Sequence, residues 1–413
     1  MSSQPAVAPV IPPPEPKLTP ADMLGRARAM RETLRQRQAT CEALGRIPEV
    51  THDEFMSAGF YRILQPRCFG GYEFSFQTFV RVMVEVSRGC PESGWVLALV
   101  SAHAAVVAAF PEKGQREVFG LTGDMRAPGV APPGGVAIHT VGGYRIKGGW
   151  DYASGCDVST HFFGTMIVQE PHSNVPRGTI FVLLDRADFR IVDNWNVIGM
   201  QGTGSRRVVT HEMFVPSHRV LELADENMQP VIHQPGRDLH RNPLYHCPHL
   251  PLYVGELAAV AVGAAKGALD VYEDILRTRK SAYPPFEPRV ELEGLQRQFG
   301  ESQGLIDTAE AALLKMAEDY VENARLEREE GVPYTEEKVR RLVVIEQRCV
   351  QMAWEAVDLM FRTAGSSSTT KTSALGRYFR NLAVIRTHTI LQLDHTATNA
   401  ARLHLGLPAL TPV

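Results

Sequence analysis

The side chains of this chain that could move a proton or hold an anion are few and unevenly spaced. From Gly365 to His388 the sequence runs GSSSTTKTSALGRYFRNLAVIRTH and contains no Asp or Glu, so the imidazole of His388 is its one near-neutral proton acceptor. Imidazole titrates near about 6.5, so a histidine cannot fully remove a proton from a much weaker acid in its ground state. It can accept the proton as charge develops during reaction. His395 and His404 lie in the same tail, and an exposed helix histidine is the competing reading of His388. Trp95 and His103, in SGWVLALVSAHAAVVAAF, are eight residues apart and share one helical side. His103 reads either as a ligand-facing group or as a core histidine with a satisfied hydrogen bond. Ser154, in GGWDYASGC, offers a small hydroxyl or simply opens a turn with Gly155. Arg279, in LRTRKSAY, could hold two phosphate oxygens at once. Ser366 and Ser367, after Gly365, offer hydroxyl and amide donors or form a flexible loop.

Other clusters carry less. GMQGTGS lacks the P-loop lysine and is not the GxGxxG that opens a βαβ unit, so it reads as a turn. His240, His246, Cys247 and His249 have zinc-binding atoms at proline-interrupted spacing that fits no regular ligand set, and no metal is expected. The six cysteines include no CxxC pair, and reduced thiols follow. Lys and Arg number 43 against 46 acidic residues, a balance of -3 that argues for neither nucleic acid nor an anionic membrane. No run of eighteen uninterrupted apolar residues occurs, and the N-terminus lacks a basic segment before an apolar core; a cytoplasmic protein without a membrane span is expected.

The elements that must position these residues change along the chain. Residues 1–20 are proline-rich and predict a flexible tail. Residues 21–135 predict an N-terminal helical domain, in which SGWVLALVSAHAAVVAAF is a buried helix. Residues 136–224 change to short β-like runs separated by Gly, Asp and Asn, a middle β-domain. Residues 225–251 form a connecting loop expected to fold over a substrate entrance, and residues 252–413 form a C-terminal helical bundle and tail. There Leu295, Phe299, Ile306, Ala309, Leu313, Met316 and Tyr320 align one apolar face, while GELAAVAVGAAKGALD is small enough for close helix approach.

WNVIGMQGTGSRRVVTHEMFVP, from Trp195 to Pro216, resembles the mid-chain segment of acyl-CoA dehydrogenase-like enzymes, and the order helices, β-domain, helix bundle matches that fold. Those dehydrogenases typically place a carboxylate base after a glycine-rich turn, in the window that has none here. RNLAVIRTH, from Arg380 to His388, instead resembles the arginine, acidic-or-amide residue, six-residue spacer and histidine of two-component flavin-dependent monooxygenases, which include phenol hydroxylases and dibenzothiophene monooxygenases. Asn381 stands where the hydroxylases commonly carry Asp.

The resemblance implies a mainly α acyl-CoA dehydrogenase-like fold with a central β-barrel-like domain and a C-terminal four-helix bundle, assembled as a homotetramer. It implies an oxygenase component that takes FMNH2 or FADH2 from a separate NAD(P)H-dependent flavin reductase. With O2 this forms a C4a-hydroperoxyflavin that hydroxylates a small aromatic substrate. It implies His388, Ser154 and His103 as catalytic; Ser154, Trp150, Arg279 and Ser366 as cofactor-binding; and Trp95, His103 and His388 as substrate-binding. MRAPGVAPPGG carries Ala127 where phenol hydroxylases often have serines, so a heteroaromatic sulfur or amine substrate stays open, as does acyl-CoA dehydrogenation with a carboxylate from another helix.

Overall fold

The computed structural model describes residues 11–170, 175–224 and 234–410. Helix α1 (Pro20–Leu44) starts where Thr19 and Asp22 cap each other reciprocally, satisfying two of the orphan donors of the first turn. It is followed by α2 (Glu49–Ala58), α3 (Phe76–Gly89), α4 (Pro91–Val107) and α5 (Glu112–Phe119). Helix α4 is apolar around its whole circumference and is buried on nearly every side, as such a composition requires. The flexible tail expected over residues 1–20 is corrected in its second half. Ile11 N–H donates to the Cys68 carbonyl at 3.1 Å, and Glu15 pairs with Arg26 at 2.7 Å, so this stretch lies against the first helical domain. Residues 1–10 lie outside the described residues.

The β-domain is one twisted sheet with strand order β6-β7-β3-β2-β4-β5-β8. Its strands are β1 (Gly129–Val130), β2 (Gly135–Thr140), β3 (Gly143–Ala153), β4 (His161–Gln169), β5 (Pro176–Asp185), β6 (Arg190–Val192), β7 (Arg206–Pro216) and β8 (Val220–Ala224). Strand β1 joins the edge of β4 in parallel, so the sheet begins at Gly129 rather than at 136. Its own core gathers Trp150, Phe162, Met166, Val182 and Val208.

The remainder is helical: α6 (His249–Thr278), α7 (Glu293–Glu330), α8 (Glu336–Thr363), α9 (Ala374–Ile385) and α10 (Leu393–His404). Helix α6 packs against α3, α4, α7, α8 and α9 and is the centre of the molecule. Its length and hydropathy would suit a membrane span, but 83% of that apolar window is buried within the protein. The expected apolar face of α7 is fully buried at Ile306, Ala309, Leu313, Met316 and Tyr320 and half-buried at Leu295 and Phe299, which pack against the edge of the same core.

Candidate active site

Three elements distant in sequence converge on Trp95. It stands in the first turns of α4, and its indole N–H donates to Ser154 Oγ at 3.0 Å, in the turn that follows β3. His388, just beyond α9, lies against the same indole with ring centroids 5.9 Å apart. Ser154 and Trp95 are each 7% exposed, so a hydroxyl and an aromatic wall are held in a largely dry setting. His388 itself is exposed to solvent on one side. The surrounding protein lowers its pKa below the ordinary 6.5, because the charged form is poorly solvated there. A neutral imidazole with a lone pair to offer is the consequence.

The turn after β6 supports this group through a chain of hydroxyls. Ser154 Oγ lies 2.6 Å from Ser205 Oγ, which lies 2.6 Å from Thr203 Oγ1, which donates to the Met200 carbonyl at 2.8 Å. The same turn is clamped from the bundle. Met200 N–H donates to Asn381 Oδ1 at 2.7 Å, and Arg380 Nε donates to the Ile198 carbonyl at 3.1 Å. Glycine is needed where the clamp closes: a Cβ at Gly199 would sit 2.2 Å from the Arg380 carbonyl, and one at Gly202 would sit 2.4 Å from Cys41 Sγ. The Arg380–His388 motif thus divides its work. Its first two residues hold the turn that carries the hydroxyls, and its last residue faces the indole.

The other side chains expected at the site are placed differently. Trp150 is corrected as a cofactor contact: it is 1% exposed inside the β-domain core, and its indole N–H is committed to the Thr165 carbonyl at 2.8 Å. The aromatic that leaves that strand toward solvent is Tyr152, whose ring meets Trp195 at 5.1 Å. Trp150 shares the inward face with Ile146, and the register shift between Trp150 and Ala153 breaks the alternation so that Tyr152 faces out. His103 is 2% exposed and does not join Trp95 and His388. Its Nδ1 lies 2.7 Å from the Ala127 carbonyl, which makes it the protonated nitrogen, and its Nε2 faces Glu256 at 3.5 Å. Eight residues on a helix also separate the two positions by about 12 Å along the axis.

Arg279 ends α6 on the surface and donates to Ser367 Oγ at 2.5 Å, so this pair forms the exposed cation-and-hydroxyl set, with Ser366 adjacent in the same turn. Neither touches Ser154 within this chain. In the described part of the 225–251 loop, His240 bonds Gln115, His246 Nε2 bonds the His240 carbonyl, and Cys247 bonds the Tyr320 carbonyl, so these donors have separate partners. Residues 225–233 of that loop lie outside the described residues.

Sequence reasoning missed Glu92. It is fully buried, its Oε1 accepts the Gly202 N–H at 2.9 Å, and burial pushes its pKa up to about 8. Cys41 and Cys90 lie within 4.8 Å of it, a convergence that their spacing along the chain does not reveal. A lone carboxylate at the start of an otherwise apolar helix was the available signal. The open concavity between α1 and α2, lined by Arg26, Met30, Val50 and Ser57, contains none of these groups.

A flavin fits this donor set on two observations. Ser154 Oγ, after accepting from Trp95, keeps hydrogen-bonding capacity, and Arg279 with Ser367 offers what a phosphate requires.

Comparison with known proteins agrees. Residues 25–119 match the acyl-CoA dehydrogenase N-terminal domain and residues 256–393 the acyl-CoA dehydrogenase C-terminal domain. The chain is 30% identical over 384 residues to the flavin-dependent monooxygenase oxygenase subunit HsaA of Rhodococcus jostii, covering 92% of this chain and 97% of that one. It is 29% identical to the oxygenase component of an FADH2-dependent resorcinol hydroxylase of a Rhizobium species, covering 93% and 94%. The crystal structure of 3-HSA hydroxylase from Rhodococcus superposes with a TM-score of 0.85 at 27% identity over 95% of this chain and 98% of that one. The chain therefore belongs to the flavin-dependent monooxygenases whose oxygenase components are built on the acyl-CoA dehydrogenase fold.

Proposed function

We propose that this chain hydroxylates a small aromatic, phenolic substrate beside Trp95 and His388, using FMNH2 or FADH2 delivered by a separate NAD(P)H-dependent reductase. The observation that carries the proposal is the meeting of Ser154 and His388 at one indole. The bound reduced flavin supplies the electrons that activate O2. Ser154 hydrogen-bonds the flavin near N5 in a water-poor setting, where loss of the N5 proton would discharge the oxidant as peroxide. His388, neutral and accepting, takes the phenolic proton as the ring attacks, which raises the nucleophilicity of the ortho carbon. Arg279 binds flavin phosphate. Since that arginine stands away from Ser154 in one chain, the proposal includes a homotetramer in which subunits complete each other's cofactor sites, acting in the cytoplasm.

For dehydrogenation by a carboxylate from another helix, Glu256 on α6 is a buried carboxylate to weigh. Burial raises its pKa, and it faces His103 at 3.5 Å rather than Trp95 and His388.

The test is rapid mixing of protein and reduced FMN with oxygen across a panel of phenols and heteroaromatics, with flavin reoxidation, product and peroxide quantified. Quantitative peroxide with every aromatic refutes the proposal. For His388→Ala, flavin reoxidation persists while hydroxylated product falls at least tenfold; unchanged product removes His388 from the mechanism.

A further inference from the structure

Hydroxyl groups both give and accept hydrogen bonds, so a row of them has a direction only if its ends impose one. The row from Trp95 to Met200 has both ends fixed. The indole N–H of Trp95 can only donate, and it reaches Ser154 Oγ at 3.0 Å. The Met200 carbonyl can only accept, and Thr203 Oγ1 stands 2.8 Å from it. It also receives Trp195 Nε1 at 3.0 Å and the Thr203 N–H at 3.2 Å, and none of these donors can be supplied by the carbonyl itself. Between the ends lie the contacts Ser154–Ser205 and Ser205–Thr203, each 2.6 Å.

Four contacts therefore share four hydrogens: one on the indole and three on the hydroxyls. All four are filled in a single arrangement, in which Trp95 donates to Ser154, Ser154 to Ser205, Ser205 to Thr203, and Thr203 to Met200. Any reversal leaves two oxygen lone pairs facing each other at 2.8 Å or less without a hydrogen between them. Ser154, Ser205 and Thr203 are at most 7% exposed, so water does not readily repair such a defect.

We propose that Ser205 and Thr203 are positioning residues that draw the Ser154 hydrogen away from the flavin, making Ser154 an acceptor only and the site selective for reduced over oxidised flavin. The inference rests on the placement of Ser154 near flavin N5 given above. Reduced flavin carries a hydrogen on N5 and can donate it to the remaining lone pair of Ser154. Oxidised flavin carries only a lone pair at N5 and meets an oxygen with nothing to give. The protein thus gains affinity for the form its reductase delivers and loses it for the form it must release, and the N5 hydrogen is held in place during turnover.

The direct readout is equilibrium binding of oxidised and reduced FMN under anaerobic conditions, expressed as the ratio of the two dissociation constants. Ser205→Ala breaks the row and frees the Ser154 hydrogen to turn toward N5, so the preference for reduced flavin falls about tenfold, the effect of one neutral hydrogen bond. Thr203→Val produces the same fall, whereas Thr203→Ser retains the hydroxyl and the wild-type ratio. A merely structural role weakens both constants in parallel and leaves the ratio unchanged, which overturns the proposal. Ser154→Ala separates the two levels of argument. If it leaves the ratio untouched, Ser154 does not face N5 and the placement fails together with the inference. If it abolishes the preference while Ser205→Ala does not, the placement stands and the directed row is refuted.

Discussion

Replacing Asn381 with Leu tests the clamp on which the site depends. Asn381 is 1% exposed, and its Oδ1 accepts the Met200 N–H at 2.7 Å, while its Nδ2 has no partner among the described residues. Leucine fills similar space but offers no acceptor, so a buried backbone N–H is left unpaired. That costs about 1–3 kcal/mol, or roughly a 5- to 150-fold increase in local opening. The defect is confined to the turn from Trp195 to Ser205, because Arg380 still holds the Ile198 carbonyl and Glu92 still holds Gly202 N–H. Amide hydrogen exchange by mass spectrometry on a peptide spanning 196–205 reads this directly, and exchange there should accelerate by that factor. Peptides from α7 should be unchanged. Asn381→Asp is the control: it retains an oxygen at the same place and gives up only an amide that bonds nothing, so protection stays close to wild type. Unaltered exchange in the Leu variant, or equal damage in both variants, would refute the argument that this side chain holds the turn through its oxygen.

Three further outcomes follow from the same geometry. Trp150→Phe loses the bond to the Thr165 carbonyl and part of the β-domain core, and should lower stability by about 1–3 kcal/mol in urea unfolding while flavin affinity holds; a specific loss of flavin binding would restore Trp150 as a contact. Arg279→Ala, at an exposed position, should weaken flavin binding at least tenfold with an unchanged unfolding midpoint, and equal affinity by titration would exclude it from the phosphate site. Glu92 is protonated in the fold up to about pH 8 but ionises near 4.5 when unfolded, so the folded state binds more protons between those values and stability declines as pH rises through that window. Glu92→Gln retains the acceptor for Gly202 and should remove that part of the decline, seen as a flatter dependence of the unfolding midpoint on pH.

The succession of helical domain, β-domain and helix bundle was legible because hydrophobic periodicity is a local property: the all-round apolar α4, the small-residue α6 and the face of α7 each state their burial within a few turns. The missing carboxylate after Gly365 and the presence of His388 were equally local. Partnership was not. Ser205 and Thr203 looked like turn residues, Glu92 was passed over, and Trp150 looked like a ligand contact, since Ser205 meets Ser154 across 51 positions, Glu92 meets Gly202 across 110, and Trp150 meets Thr165 across 15. Asn381 joins Met200 across 181 positions, and Trp95 joins Ser154 across 59. A hydrogen bond's direction, moreover, depends on what the partners' other atoms are doing. The residues capable of the chemistry were therefore determined by the sequence alone, whereas which of them share hydrogens, and which way those hydrogens point, was decided only when the turn, the two helices and the strand end were brought together.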